Sequence, residues 1–213
     1  SRRGISRFML AFGNVSFIGY PVCDAVFGSK AVFCASVLNI PFNLLVFTIG
    51  VSFINGAKAK SAFSPKLIFS PCVVASLIAL LIAIVRIQTP APIGQWFHLL
   101  GDLTTPCALL IIGSSLSHIP VRDMLGNRFV YSMALLRLLV LPLAVGGVLA
   151  LMGIDPFVSD VAVVLSAMPI ATNGIMLCLQ YGKDERLMTQ GLFITTLFSV
   201  ISIPAVAYLA SLF

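Results

Sequence analysis

The sequence predicts an all-α polytopic membrane protein. Hydrophobic residues make up 59% of the 213 residues and charged residues only 9%, whereas a soluble domain carries about 25% charged residues. Four uncharged stretches approach or exceed the length of about 20 residues that spans a bilayer as a helix. They are 31–57, 67–85, 161–181 and 187–213. A water-soluble fold is therefore hard to sustain, and the net charge of +6 belongs to loops rather than to a nucleic-acid-binding surface.

Hydropathy predicts seven spans, which are in order 6–27, 31–54, 67–87, 95–117, 129–152, 158–181 and 187–211. The basic residues between them are distributed unequally between the two sides of the membrane. Ten lie on one side, and only Lys30 and Arg86 lie on the other. Because cytoplasmic loops carry the excess of Lys and Arg, the N-terminus of this chain is predicted to be cytoplasmic and its C-terminus outside. The predicted location is the cell membrane.

Polar residues mark the first two spans. In span one Gly13 and Asn14 favour unwinding, and the Asn14 amide can cap a broken helix end or donate a hydrogen bond to a carboxylate. Span two carries Asn39 and Asn43 four residues apart, and hence on one helix face. These two amides either bind a ligand or, in the favoured interpretation, form hydrogen bonds between helices.

Span three is apolar until Arg86, whereas spans four and five contain the internal charges Asp102 and Arg137. Both are candidates for ion coupling or charge pairing, since a charge at a helix centre costs about 2.5–3.5 kcal/mol on insertion scales. Asp102 can carry a coupling proton, pair with a cation, or stay hydrated near the outer interface. Arg137 can attract an anion, but the favoured interpretation is that it pairs structurally or extends to the cytoplasmic surface.

Span six repeats the pattern of span one. Pro169, Thr172 and Asn173 interrupt it as Gly13 and Asn14 interrupt span one, and both spans exit at an aromatic–glycine pair. Four spans lie between them, so the two interrupted helices run in opposite directions. Paired interrupted helices in inverted repeats are typical of secondary transporters whose substrate binds near the bilayer midplane.

The repeat divides the chain into three parts. Residues 1–55 would be the last two helices of a first repeat, 56–66 a cytoplasmic linker, and 67–213 a complete second repeat of five helices. The broken crossing helices are then 6–27 and 158–181. Three further helices are expected upstream of this chain, which would make it incomplete at its N-terminal end.

Unwound helices suit an anionic substrate. They expose backbone N–H groups and direct the positive ends of half-helices into a cavity without burying a charged side chain. The predicted substrate-binding residues are Asn14, Asn39, Asn43, Pro169, Thr172 and Asn173. Alternatively Asn14 and Asn173 only cap the broken ends, and both roles can hold together. Gly13 and Pro169 are the predicted breakers of the crossing helices.

No metal, cofactor or catalytic group is predicted. His98 and His118 lie at opposite ends of one helix, about 30 Å apart at about 1.5 Å per residue, so they cannot hold a metal ion together. An intramembrane hydrolase needs a Ser–His pair or two facing Asp residues, and a seven-helix receptor has its N-terminus outside; the sequence matches neither. A channel stays open as an alternative, and large unsaturated currents would distinguish it from a carrier with saturable exchange.

At these positions the sequence resembles the auxin efflux carrier family, which includes plant auxin exporters and bacterial permeases linked to malate or malonate. The matching stretches are GNVSFIGYP at 13–21, NIPFN at 39–43, LGDLTTP at 100–106, IGSSL at 112–116, MPIATN at 168–173, YGKD at 181–184 and SIP at 202–204. Plant members often have a proline beside the first crossing. This chain has Gly13 and Asn14 there, so flexibility at that point is attributed to the glycine.

The resemblance implies ten helices in two inverted five-helix repeats, with spans one and six crossing, and a transport domain that moves against a scaffold like an elevator. It implies a bacterial-type permease that acts as a secondary active transporter of small organic anions, either mono- or dicarboxylates. The alternative is an anion or solute channel of the same membrane fold. The expected partners are the organic anion and the lipid bilayer, without nucleic acid, and a homodimer is compatible with the sequence.

Overall fold

The computed structural model describes residues 2–56, 71–85, 90–117, 120, 125 and 128–210. This part of the chain is helical and contains no strand. Its helices are α1 (Arg2–Ala11), α2 (Tyr20–Phe27), α3 (Ser29–Leu45), α4 (Val51–Asn55), α5 (Pro71–Val85), α6 (Ala91–Ser117), α7 (Arg128–Leu135), α8 (Leu141–Leu151), α9 (Pro156–Ser166), α10 (Asn173–Gln180) and α11 (Arg186–Ala210). Short π-helical segments precede α2 and join α3 to α4 and α7 to α8.

Three continuous helices in the described ranges are long and apolar enough to cross a membrane, namely Ser29–Asn55, Arg128–Leu151 and Arg186–Ala210. They coincide within a few residues with predicted spans two, five and seven. Val15–Phe27 and Pro156–Ser166 are shorter apolar helices, and they are halves of the two interrupted spans. Helices α5 and α6 lie where spans three and four were predicted.

Each π-helical segment has a proline close to it in sequence. Pro21 and Pro142 follow the segments Val15–Gly19 and Leu136–Val140 by two residues, and Pro41 lies five residues before Val46–Gly50. Proline has no N–H and its ring crowds the preceding turn, so Pro21 and Pro142 disturb the α-helical hydrogen bonds of the segments before them. A widened turn is one way for a helix to absorb this, and such turns are frequent at functional sites. Pro41 precedes its segment, and this effect does not explain the widening there.

One hydrophobic cluster lies between α1, α4, α10 and α11. Phe8, Met9 and Met188 are fully buried in it. The Phe12 ring, where α1 ends, lies 5.0 Å from the Phe8 ring and 5.6 Å from the Phe42 ring, measured between centroids. Since lipid is as apolar as these side chains, close packing rather than exclusion of water holds such helices together.

A second cluster joins α9 to α2 and α3. Val161 and Val164 pack against the small buried side chains Cys23, Ala31 and Ala35, and small residues let membrane helices approach each other closely. The unwound parts of both interrupted helices contribute residues to these two clusters. The packing therefore fixes the point at which the interrupted helices meet.

Candidate functional site at the helix crossing

The two interrupted helices meet where each of them is unwound. Gly13 and Ile170 form an isolated antiparallel β-bridge. The Asn14 N–H donates to the Pro169 carbonyl oxygen at 2.7 Å, and the Ala171 N–H donates to the Phe12 carbonyl oxygen at 3.1 Å. Backbone groups that one break frees are thus satisfied by the other break, which is how irregular backbone is tolerated at membrane depth.

The first break depends on Asn14 and Gly13. The Asn14 backbone leaves the helical region, with φ −83° and ψ 66°, and its side-chain oxygen accepts from the Phe17 N–H at 3.3 Å, which caps the next half-helix. Gly13 does not have a positive φ. A Cβ at Gly13 would overlap the Arg137 Nη2 atom and lie 3.2 Å from the Met168 carbonyl oxygen. The structure therefore requires a glycine here because a larger residue would not fit, whereas the sequence suggested flexibility as the reason.

The second break is held by a residue that the sequence analysis missed. The Ile170 N–H donates to the Thr195 hydroxyl oxygen at 3.2 Å, and that hydroxyl donates to the Gly191 carbonyl oxygen at 2.7 Å. Thr195 is fully buried. Pro169 has no N–H to satisfy, and its carbonyl takes the bond from Asn14. Nothing in the sequence distinguishes Thr195 from other threonines in apolar spans, because Ile170 lies 25 residues away along the chain.

Arg137 lies against the crossing and is only 2% exposed. Its Nε donates to the Met168 carbonyl oxygen at 3.2 Å, and its Nη1 donates to the Leu10 carbonyl oxygen at 2.7 Å. The sequence left structural pairing or extension to the cytoplasmic surface open for this side chain, and its bonds to the carbonyl groups at the crossing are of the pairing kind. The side chain of Asp102 lies outside the described residues, so their pairing stays a prediction.

The charge of Arg137 is balanced by the two helix ends that its side chain contacts. Leu10 is in the last turn of α1, and Met168 lies just beyond the end of α9. Each helix C-terminus carries about half a negative elementary charge. Two such ends together are about equal and opposite to one guanidinium. The buried cation is therefore compensated by backbone dipoles, and no acidic side chain of the described residues takes part.

A small polar cavity adjoins the other two helix ends at the crossing. Its volume is about 20 Å³, which is room for about one water molecule. Its lining residues are Gly13, Asn14, Val15, Ser16, Phe17, Phe42, Asn43, Ala171, Thr172 and Asn173. The N-terminal ends of Val15–Phe27 and α10 both reach it. The Thr172 side chain is 5% exposed, and its hydroxyl has no hydrogen-bond partner within the described part of the chain.

The structure brings some of the predicted site residues together and separates others. Asn14, Asn43, Thr172 and Asn173 line one cavity. Asn39 does not line it: its side-chain nitrogen donates to the Ser16 hydroxyl at 2.9 Å and to the Tyr20 hydroxyl at 2.7 Å. Asn39 thus joins two helices, which was its favoured interpretation. Pro169 is not a lining residue of the cavity either.

A larger cleft of about 290 Å³ reaches Arg137 from a different direction. Its walls are mostly apolar and come from α1, α3, α8 and α9. The lining residues are Ala11, Val15, Leu38, Phe42, Arg137, Leu141, Val145, Ala162, Leu165 and Ser166. Arg137 is therefore buried in the protein but lines a space that a small molecule can occupy.

Comparison with known proteins shows the family to which the chain belongs. Residues 61–207 match the model of a family described as membrane transport protein, and this is more than half of the chain. The chain belongs to this family. It is the auxin efflux carrier family, so the resemblance seen in the sequence is confirmed. Membrane location and transmembrane helices follow from this membership and from the apolar helices.

Several curated relatives of the family are similar along most of the chain. A protein of Rhizobium meliloti (strain 1021) named putative malonate transporter is 25% identical over 95% of this chain and 65% of its own length. An uncharacterized transporter of Methanocaldococcus jannaschii is 28% identical over 90% and 63%. The uncharacterized transporter YfdV of Escherichia coli (strain K12) is 23% identical over 93% and 65%. The chain thus spans just under two thirds of the length of these relatives.

Proposed function

We propose that this protein is a secondary active transporter of small organic anions and that the carboxylate group of the substrate binds at the helix crossing. The observation that carries the proposal is the cavity at the crossing. Two half-helix N-termini reach it, and one of its lining residues is Thr172, whose buried hydroxyl has no partner among the described residues.

Charge decides which substrate the cavity favours. Each helix N-terminus carries about half a positive elementary charge, so the two ends together favour one negative charge. The two helix C-termini at the crossing would favour a cation, but Arg137 already occupies them. What is left for a ligand is the positive pair of ends, and this supports an anion over a neutral or cationic solute.

The lining side chains supply donors for a carboxylate. The amide nitrogens of Asn43 and Asn173 and the hydroxyl of Thr172 can each donate a hydrogen bond to an oxygen of the substrate. The Asn14 oxygen is used by the Phe17 N–H, which leaves its amide nitrogen as a further donor. Hydrogen bonds to a charged group are worth about 1.5–3 kcal/mol each. Two or three of them are enough to select a carboxylate.

The relative named putative malonate transporter supports a dicarboxylate as one candidate substrate. A cavity of about 20 Å³ is too small for any such molecule, since a single water already needs about 10–15 Å³. Binding therefore requires the crossing to open. We propose that it opens by alternating access, with two inverted five-helix repeats divided near residues 55 and 67 and an elevator-like motion of the crossing.

The test is counterflow of radiolabelled malonate in proteoliposomes that contain the full-length protein, with an aromatic monocarboxylate as the second substrate. Thr172→Val and Asn173→Ala are compared with Thr189→Val. Thr189 is equally buried, but its hydroxyl donates to the Glu185 carbonyl oxygen at 3.0 Å, within its own helix region. We expect saturable exchange that falls about tenfold in the two cavity variants, since each loses a hydrogen bond to a charged group, and that persists in the control.

Two results would contradict this proposal. Equal exchange in Thr172→Val, Asn173→Ala and the control would move the site away from the cavity while keeping the carrier. Large currents without saturation or counterflow would instead favour the channel of the same membrane fold.

A further inference from the structure

The most unusual group outside the proposed anion cavity is the guanidinium of Arg137. It is buried, carries a full charge, and donates to backbone carbonyls of both interrupted helices. Among the described residues no carboxylate contacts it. A buried charge in a membrane protein is costly and is normally kept for a function, and binding the substrate in the cavity does not use this one, because Arg137 is not a lining residue there.

The carbonyl groups that accept hydrogen bonds from this guanidinium indicate that it takes the place of a bound cation. In carriers with broken helices, unwound carbonyls and half-helix C-termini coordinate the coupling cation. Here the Leu10 and Met168 carbonyl oxygens, one from each interrupted helix, are held by Arg137 at 2.7 and 3.2 Å. The carbonyl groups that would bind a mobile cation are thus already bound to one that is covalently part of the chain.

We propose that Arg137 is a built-in substitute for a coupling cation, so that anion exchange at the crossing needs no Na⁺ or other metal cation. This rests on the proposed function, because it specifies what balances the substrate charge at the same crossing. An arginine stays protonated in proteins, so the site stays filled whatever the ionic composition on either side.

The close fit of the guanidinium supports this assignment. A Cβ at Gly13 would overlap Nη2 and lie 3.1 Å from Cζ, so the unwound backbone is in direct contact with the charged group. No room is left there for a second cation. The cleft of about 290 Å³ borders Arg137. Truncation of the side chain would therefore open the vacated position to a small soluble cation.

The experiment asks whether a free cation can replace the side chain. Malonate counterflow is measured for the full-length protein, Arg137→Ala and Arg137→Lys, in Na⁺ medium, in choline medium, and in choline with a low, non-denaturing concentration of guanidinium. Arg128→Ala is the matched control, since Arg128 is an exposed residue of the same transmembrane segment. Unfolding temperatures of all four proteins are measured in the same media.

We expect the native protein to exchange equally in Na⁺ and choline. Arg137→Ala should lose exchange by about tenfold or more in choline, as for loss of a preorganised charge-stabilising group. Either recovery by guanidinium or retention of exchange by Arg137→Lys would support a role of the charge itself. Guanidinium should also raise the unfolding temperature of Arg137→Ala, but not that of the native protein or of Arg128→Ala.

Three outcomes would overturn the inference and leave the proposed function intact. They are a Na⁺ requirement of the native protein, undiminished exchange by Arg137→Ala in choline, and loss of exchange in a folded Arg137→Ala that neither guanidinium nor the lysine variant restores. If the native protein exchanges no carboxylate at all, the proposed function fails instead. The unfolding temperatures then decide alone whether the crossing binds a cation.

Discussion

The two pairs of helix ends at the crossing differ in the groups that interact with their free backbone N–H and carbonyl groups. At the C-terminal ends of α1 and α9, backbone carbonyl oxygens accept hydrogen bonds from one buried side chain, Arg137. The N-terminal ends of Val15–Phe27 and α10 adjoin a cavity with a hydroxyl that lacks a partner among the described residues. In the first pair the chain supplies its own counter-charge. In the second pair a polar group beside the cavity has no hydrogen-bond partner among the described residues, as expected where a bound ligand supplies that partner.

This difference predicts that changes at the two pairs of ends will affect different properties. Substitutions on the carbonyl side should mainly lower the stability of the protein, because they disturb bonds that already exist. Substitutions on the cavity side should mainly lower the affinity for substrate, because they remove bonds that form only on binding. Three variants, taken in order of the expected change in stability, test this contrast.

Gly13→Ala should have the largest effect on stability. The added Cβ would overlap Nη2 of Arg137 and lie 3.2 Å from the Met168 carbonyl oxygen, so the guanidinium must leave its carbonyls. We expect a loss of about 1–3 kcal/mol, as for other overpacked positions, measured by denaturant unfolding in detergent. Gly147→Ala is the control, since a Cβ there meets nothing within 4 Å. Similar values for both variants would show that Arg137 is not fixed by this contact.

Thr195→Val should have an intermediate effect. The isosteric change removes the hydroxyl that accepts from the Ile170 N–H at 3.2 Å and leaves that buried N–H without a partner. Such a loss costs about 1–3 kcal/mol, and the lower half of this range is expected because the contact is long. Thr196→Val, at the neighbouring exposed position, should change the unfolding free energy little. Equal stability of the two variants would mean that the second break is held by packing alone.

Thr172→Val should leave stability almost unchanged, within about 0.5 kcal/mol, because its hydroxyl has no partner to lose in the described part of the protein. Its effect should appear in the substrate affinity, which we expect to fall about tenfold with the loss of one donor to a charged group. Affinity is measured by equilibrium binding of malonate, and stability by denaturant unfolding of the same preparation. A variant that is strongly destabilised, or that binds normally, would remove the contrast between the two sides.

Much of the crossing could be predicted from the sequence. Asn14 in one apolar span and Pro169 in another are residues that interrupt helices for local reasons, and the structure has breaks at both places. The predicted bounds of spans two, five and seven agree with Ser29–Asn55, Arg128–Leu151 and Arg186–Ala210 within a few residues. Helix-breaking residues and the lengths of apolar runs depend only on neighbouring positions along the chain, so they can be recognised in the sequence.

The partners of individual side chains could not be predicted. Arg137 was expected either to pair structurally or to extend to the nearer surface. The sequence could not decide between these, because the direction of a side chain depends on how its helix is rotated and on carbonyls more than a hundred residues away, such as that of Leu10. Thr195 looks like any threonine bonded to its own helix, and its contact with Ile170 exists only in the folded chain. Asn39 and Asn43 share a face, yet only Asn43 lines the cavity.

If the protein is the carrier proposed above, the fixed charge of Arg137 would determine how the membrane voltage acts on it. Counting the charge of Arg137 alone, an empty crossing holds one positive charge, a crossing with a monoanion is neutral, and one with a dianion is negative. If the crossing moves through the electric field, each elementary charge is worth about 2.3 kcal/mol per 100 mV. Voltage would drive the empty and the dianion-loaded forms in opposite directions and leave the monoanion-loaded form unaffected. The resting potential of the cell would thereby sort substrates by their valence.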